Sequence, residues 1–207
     1  IENIFFPQVF SFYFQLRRYF EHYDYVIWDI LSRSESVTMS DISVHDDMPW
    51  IFRCVHDNPN FTVDFLLNNL TNDWNWSILS SHSVVTMEVV SKYSSLPWNF
   101  NSNGLCWNPN LTIEFIVSNL KKRWDWNSIS QNSAITMDMI TANPQLPWKW
   151  NSVGRNPNIT IDFIERCTGR DAVIREAIYS GYYLMQDKRM FVNRALCRLS
   201  LLSLMDE

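Results

Sequence analysis

The chain has 207 residues, 46% of them hydrophobic and 15% aromatic, with only four glycines. That composition suits a packed domain and excludes a disordered or collagen-like chain. The net charge is −5, and no apolar run is long enough to span a bilayer, so neither nucleic acid nor membrane is an expected partner.

The first 25 residues are aromatic-rich. Phe5, Phe6, Phe10, Phe12, Tyr13 and Phe14 crowd the segment Ile4 to Leu16, and Arg17-Arg18 closes it. The segment is too short for a membrane span and lacks the small-residue cleavage site of a signal peptide. Residues 1–25 are read as an N-terminal cap or a degenerate repeat. The chain opens on Ile, not Met, and is read as a piece of a longer product.

A 24-residue unit then fills the chain. Thr38, Thr62, Thr86, Thr112, Thr136 and Thr160 recur at steps of 24, 24, 26, 24 and 24 residues. Beside them run Trp-x-aromatic triplets: Trp50/Phe52, Trp74/Trp76, Trp98/Phe100, Trp124/Trp126 and Trp148/Trp150. Trp28 fits the second aromatic position, which leaves Trp107 alone outside the pattern. The copies also alternate. One kind reads Asn-Pro-Asn-x-Thr, at Asn58, Asn108 and Asn156; the other ends in Pro-Trp, at Pro49, Pro97 and Pro147. The two extra residues of the long step are expected in a surface loop near Gly104-Leu105-Cys106.

Each unit reads as two short helices. The threonine is a natural N-cap, because its hydroxyl can accept from a free backbone N–H. An acid two residues on (Asp64, Glu88, Glu114, Asp138, Asp162) suits the positive end of the helix dipole. Apolar residues follow at helical spacing: Val63, Phe65, Leu66 and Leu70, or Ile113, Phe115, Ile116 and Leu120. This predicts a first helix of about two to three turns, stopped by Pro-Trp or a polar pair. The second helix is shorter and carries an aromatic and an apolar residue three apart, as in Phe52/Val55, Trp76/Leu79, Trp126/Ile129 and Trp150/Val153. Helices this short need stacking to hold them, and the tryptophans are the expected filler between layers.

The repeat fades after about residue 168. Two helices, Asp171 to Met185 and Lys188 to Leu204, are expected to close the stack, with Arg194, Cys197 and Arg198 as a rim. The predicted architecture is therefore all-α: a right-handed-type helical solenoid of about six 24-residue helix-turn-helix repeats over 26–168, with a C-terminal helical cap over 169–207. Residues 1–164 hold 10 basic and 16 acidic side chains, a net of −6, while 165–207 carry +1. Cys54, Cys106, Cys167 and Cys197 form no CxxC pair and read as idle thiols of a reducing compartment. Of five Asn-x-Ser/Thr sequons, at Asn60, Asn69, Asn75, Asn110 and Asn158, three are the Asn-x-Thr turn of the Asn-Pro-Asn copies and are explained without glycans.

The pairs Pro147-Trp148-Lys149-Trp150 with Asn156-Pro157-Asn158-Ile159-Thr160, and Trp124-Asp125-Trp126 with Ile135-Thr136-Met137, carry a resemblance. From about Trp28 to Phe163 the chain resembles the repeat proteins that giant viruses of the mimivirus-like and marseillevirus-like groups encode in many copies. Asn193 to Leu202 is similar to the usual tail of that family. The alternate copies lack Asn-Pro-Asn and depart from its most regular pattern. The resemblance implies no activity, cofactor or catalytic residue, and it implies a location in the infected cell's cytoplasm.

Chemistry is sparse. His45-Asp46-Asp47 and His56-Asp57 read as surface turns, not metal ligands, since neither recurs and no HExxH pair is present. His82 reads as a variable turn position. Ser80, Ser130 and Gly154 share one position of the repeat without a Gly-x-Ser-x-Gly elbow. No enzyme, cofactor or metal is expected. The expected function is a monomeric scaffold that binds host or viral proteins along a concave face. The other reading is a structural component of a large virus particle. Candidate contact residues are Trp107, Lys92, Tyr93, Asn119, Lys121 and Lys122.

Overall fold

The computed structural model describes residues 24–167, and these are helical, with no strand among the described residues. The aromatic stretch before residue 24, both expected capping helices and the rim residues Arg194, Cys197 and Arg198 lie outside them. The chain divides into two compact units between Asn99 and Phe100. In unit 1 the described helices are α1 (Asp24–Arg33), α2 (Met39–Val44), α3 (Phe52–Val55), α4 (Val63–Asn68), α5 (Trp76–Ser81) and α6 (Met87–Lys92). Unit 2 begins with a 3-10 helix (Leu105–Trp107), followed by α7 (Ile113–Ser118), α8 (Trp126–Gln131), α9 (Met137–Ala142), α10 (Trp150–Val153) and α11 (Ile161–Cys167).

Every threonine of the repeat caps a helix. Thr38, Thr62, Thr86, Thr112 and Thr136 sit in extended backbone, and each hydroxyl accepts the N–H three residues on at 3.2–3.4 Å. Thr160 accepts from Phe163 at 3.1 Å. Asp41 completes a capping box, its carboxylate accepting the Thr38 N–H at 2.8 Å. Thr136→Ala is expected to cost about 1 kcal/mol. A urea midpoint identical to that of the native chain would contradict this cap assignment.

The helices that follow these threonines are shorter than the spacing predicts. α2, α4, α6, α7 and α9 have six residues each. The cause is the residue that ends them. Asn69, Asn119 and Asn143 fold their side-chain amides back onto Phe65, Phe115 and Met139 carbonyls at 2.8–2.9 Å. Their own carbonyls, and those of His45 and Tyr93, then accept the indole N–H of the tryptophan five residues on, at 2.8–2.9 Å. Chain direction is thus fixed before another turn can form. Leu70 and Leu120, read as core positions of the helix, fall beyond its end and are exposed.

That indole bond also frees the tryptophans to serve as core, since a buried Trp has one donor to satisfy. Each first ring meets the second ring of the preceding triplet edge to face. In unit 1 the pairs are Trp28–Trp50, Phe52–Trp74 and Trp76–Trp98, at 4.9, 5.2 and 5.3 Å between centroids. In unit 2 they are Phe100–Trp124 and Trp126–Trp148, at 5.2 and 5.5 Å. The tryptophans thus form the regularly spaced aromatic clusters of each unit.

Aliphatic positions complete the core at the same spacing. Val37, Ile42, Val55, Leu66, Leu79 and Val85 are shut off from solvent in unit 1, as are Leu105, Ile116, Ile129, Ile135, Val153 and Ile164 in unit 2. Leu105 belongs to that set because the two extra residues are taken up earlier, in the exposed stretch Asn101 to Asn103. The expected surface loop near Gly104-Leu105-Cys106 is thus Asn101 to Asn103, and Gly104, Leu105 and Cys106 themselves are buried.

Copies are tied by polar side chains as well as by rings. Asn58 donates its amide to the carbonyls of Ser32, Ser34 and Val37 in the preceding copy, at 2.9–3.2 Å. Asn156 does the same with Ser130, Asn132 and Ile135, at 2.9–3.1 Å. Asn132 reaches Cys106 and Asn108 at 2.8 and 3.1 Å. A second row runs the other way. The hydroxyls of Ser32, Ser80 and Ser130 accept the N–H of Ile51, Asn99 and Lys149 at 2.9–3.0 Å. The sequon residues Asn60 and Asn158 join in, donating to Glu35 and Val37, and to Ser133 and Ile135, at 2.8–3.1 Å.

Candidate interaction site

These ladders decide which polar residues are left for function. Buried Asn58, Asn132, Asn156, Ser32, Ser80 and Ser130 hold main chain. Burial pushes the Cys106 thiol up to about 11, and its sulfur donates to the Phe100 carbonyl at 3.1 Å. Burial also raises the Cys54 thiol. Neither thiolate forms readily at neutral pH, so neither cysteine is an activated nucleophile. Among the described residues no group of three or more His, Cys, Asp or Glu could hold a metal ion, and no helix is long and apolar enough to cross a membrane.

The six predicted contact residues fall on different elements. In unit 1, Lys92 is the last residue of α6, exposed, with its ammonium 5.3 Å from the Tyr93 ring centroid. Tyr93 ends that helix and is half-buried, its carbonyl holding the Trp98 indole. In unit 2, Asn119 is likewise a helix end, with its side chain and carbonyl both engaged. Lys121 and Lys122 follow in the turn and are exposed. The Lys122 ammonium lies 4.8 Å from the Phe100 ring centroid. Trp107 ends the 3-10 helix with 43% of its surface exposed, as expected for the one tryptophan outside the pattern. It stands away from the lysine turn in sequence position, at the place that later copies fill with Gln131 and Arg155.

One turn in unit 2 gathers more than the sequence predicts. Val117 is 44% exposed and Leu120 50%, and Lys121, Lys122 and Arg123 follow them, all exposed. None of the three bases forms an ion pair among the described residues. The corresponding turn of unit 1 ends in Asp73, which Arg53 holds at 2.6 Å. Unit 1 has its own unpredicted cluster. Arg33 bridges Asp29 and Asp57 at 3.0 Å each and donates to the Cys54 sulfur at 3.1 Å. The bonds to Cys54 and Arg33 hold the Asp29 carboxyl below the usual carboxylate range. Beside it, His56 is buried, which corrects the reading of His56-Asp57 as a surface turn. His56 meets His82, not His45.

No protein-family model, curated protein or solved structure matches the chain. The class that its described residues define is an all-α protein of short, regularly spaced helices.

Proposed function

We propose that the chain is a non-enzymatic repeat scaffold, a right-handed-type helical solenoid of about six copies, that binds host or viral proteins in the infected cell's cytoplasm. The viral setting rests on the resemblance of the Pro-Trp-x-Trp and Asn-Pro-Asn-x-Thr signatures. The observation that carries the binding function is the turn Val117 to Arg123, where two exposed aliphatic side chains adjoin three bases without an ion-pair partner among the described residues. Its chemistry fits an acidic, amphipathic segment of a partner protein: aliphatic contact supplies burial and the bases supply orientation. A phosphate backbone engages longer basic stripes, and the surrounding repeats are net acidic.

The test is capture of binding proteins by the native chain and by K121E/K122E, followed by affinity measurement on each purified binder. Two surface charge reversals should leave the far-UV spectrum unchanged and weaken binding about tenfold or more. Binders held equally by both chains would remove this turn from the function. An empty capture, with the chain found instead in washed particles, would favour a structural role in the virion.

A further inference from the structure

Two positions of the repeat hold histidine in consecutive copies of unit 1. His82 occupies the position of Ser34, Asn58, Asn108, Asn132 and Asn156. His56 occupies the position of Ser32, Ser80, Cys106, Ser130 and Gly154. The two exceptions touch. Their rings lie edge to face, 6.5 Å between centroids and 88° apart. Phe61 closes over His82 at 5.5 Å.

Both rings are held by their surroundings. The Nδ1 of His82 accepts the Val84 N–H at 3.2 Å, as the side-chain oxygen of Asn132 accepts from Ala134 at 2.7 Å. His56 is 3% exposed, with Nε2 3.3 Å from the Asp57 carboxylate. Its Nδ1 is buried with no hydrogen-bond partner. The charged groups around the pair are few. Asp57 is shared with Arg33 of α1, which also binds Asp29 and the Cys54 sulfur. Arg53 of α3 turns its side chain outward to Asp73.

We propose that the His56–His82 contact makes unit 1 an acid-sensitive step of the scaffold, stable while His56 is neutral and loosened when it takes up a proton. A proton on His56 sets a positive charge in a buried site, close to His82 and to the Arg33 guanidinium. That charge acts on the contact between the copies that carry Asn58 and His82, where Phe61 and Trp74 are packed at 5.7 Å.

The direction follows from linkage. Burial, with His82 and Arg33 adding to it and with Asp57 and a backbone bond to Arg53 opposing, lowers the proton affinity of folded His56 below the ordinary 6.5. The unfolded chain then binds more protons on the acid side. The stabilisation is whole above about pH 6.5 and is lost as pH falls from there toward the lower folded value.

The test compares the full native chain with H56S/H82N, which restores residues that the same positions hold in other copies. Between pH 7.5 and 5.5 the native chain should lose about 5 °C of Tm, and the double variant less than half of that loss. Equal losses overturn the proposal. Should the variant fail to fold, hydrogen exchange of the native chain decides. Acid should raise exchange at Leu79 and Val85 of unit 1 well before Ile129 and Ile140 of unit 2. Simultaneous loss of protection in both overturns the proposal.

Discussion

Trp148→Ala lowers the unfolding free energy by about 3–5 kcal/mol, the largest loss expected from any single ring in unit 2. Three terms act together. The substitution empties a buried site against Trp126, whose ring stands edge to face at 5.5 Å. It removes the indole N–H that caps α9 through the Asn143 carbonyl at 2.8 Å. It also leaves that carbonyl to find another donor at a half-buried helix end. Trp126 is only half-buried and should lose less. Urea unfolding of both variants, followed by indole fluorescence, gives the order. A smaller loss at Trp148 than at Trp126 would show that edge contacts, not burial, set the energy of this layer.

Asn156→Ala comes next, at about 2–4 kcal/mol. Its side-chain amide serves three carbonyls of the preceding copy, and its Oδ1 accepts the Asn158 N–H at 2.8 Å. Alanine leaves all four buried or half-buried groups without that partner. Asn156→Asp is the sharper variant: it retains the acceptor for Asn158, deletes the donors and sets a negative charge among carbonyl oxygens. At pH 7 it should destabilise more than alanine. The reverse order would mean that the turn, not the link to the preceding copy, is what Asn156 contributes.

The parts of the fold that are legible in the sequence are those set by spacing. A threonine followed by an acid two places on announces a cap from local chemistry, and the Trp-x-aromatic triplets announce a shared layer. Helix length is not legible, because it is decided by the carbonyls of residues such as Asn119, and no side-chain pattern marks a carbonyl that accepts an indole. Leu70 and Leu120 look like core on a longer helix and become surface on a shorter one. The row Ser80, Ser130, Gly154 is visible, but its bonding partner is a main-chain N–H that carries no sequence label.

The candidate site is legible in the same uneven way. Lys121 and Lys122 declare themselves by charge, and Trp107 by standing outside the period. Val117 is hidden by its apolar character. Asn119 looks like a free surface group, although Asn69 and Asn143 at the same place in other copies point to a structural task. The histidine pair requires one further comparison: aligning His56 and His82 with their serine and asparagine equivalents marks both as exceptions, but only the fold brings them together.

The polar bonds that join copies have a consequence for how such a gene changes over time. They span 19 to 26 residues, so each ties a copy to its immediate predecessor. Recombination that duplicates or deletes a pair of copies, such as the 48 residues 112–159, rejoins like with like and recreates the same bonds at the new junction. An exchange of a single copy instead sets two of the same kind side by side and pairs Asn-Pro-Asn turns that never meet in the present chain. Selection on the folded state alone therefore lets the array lengthen and shorten in even steps.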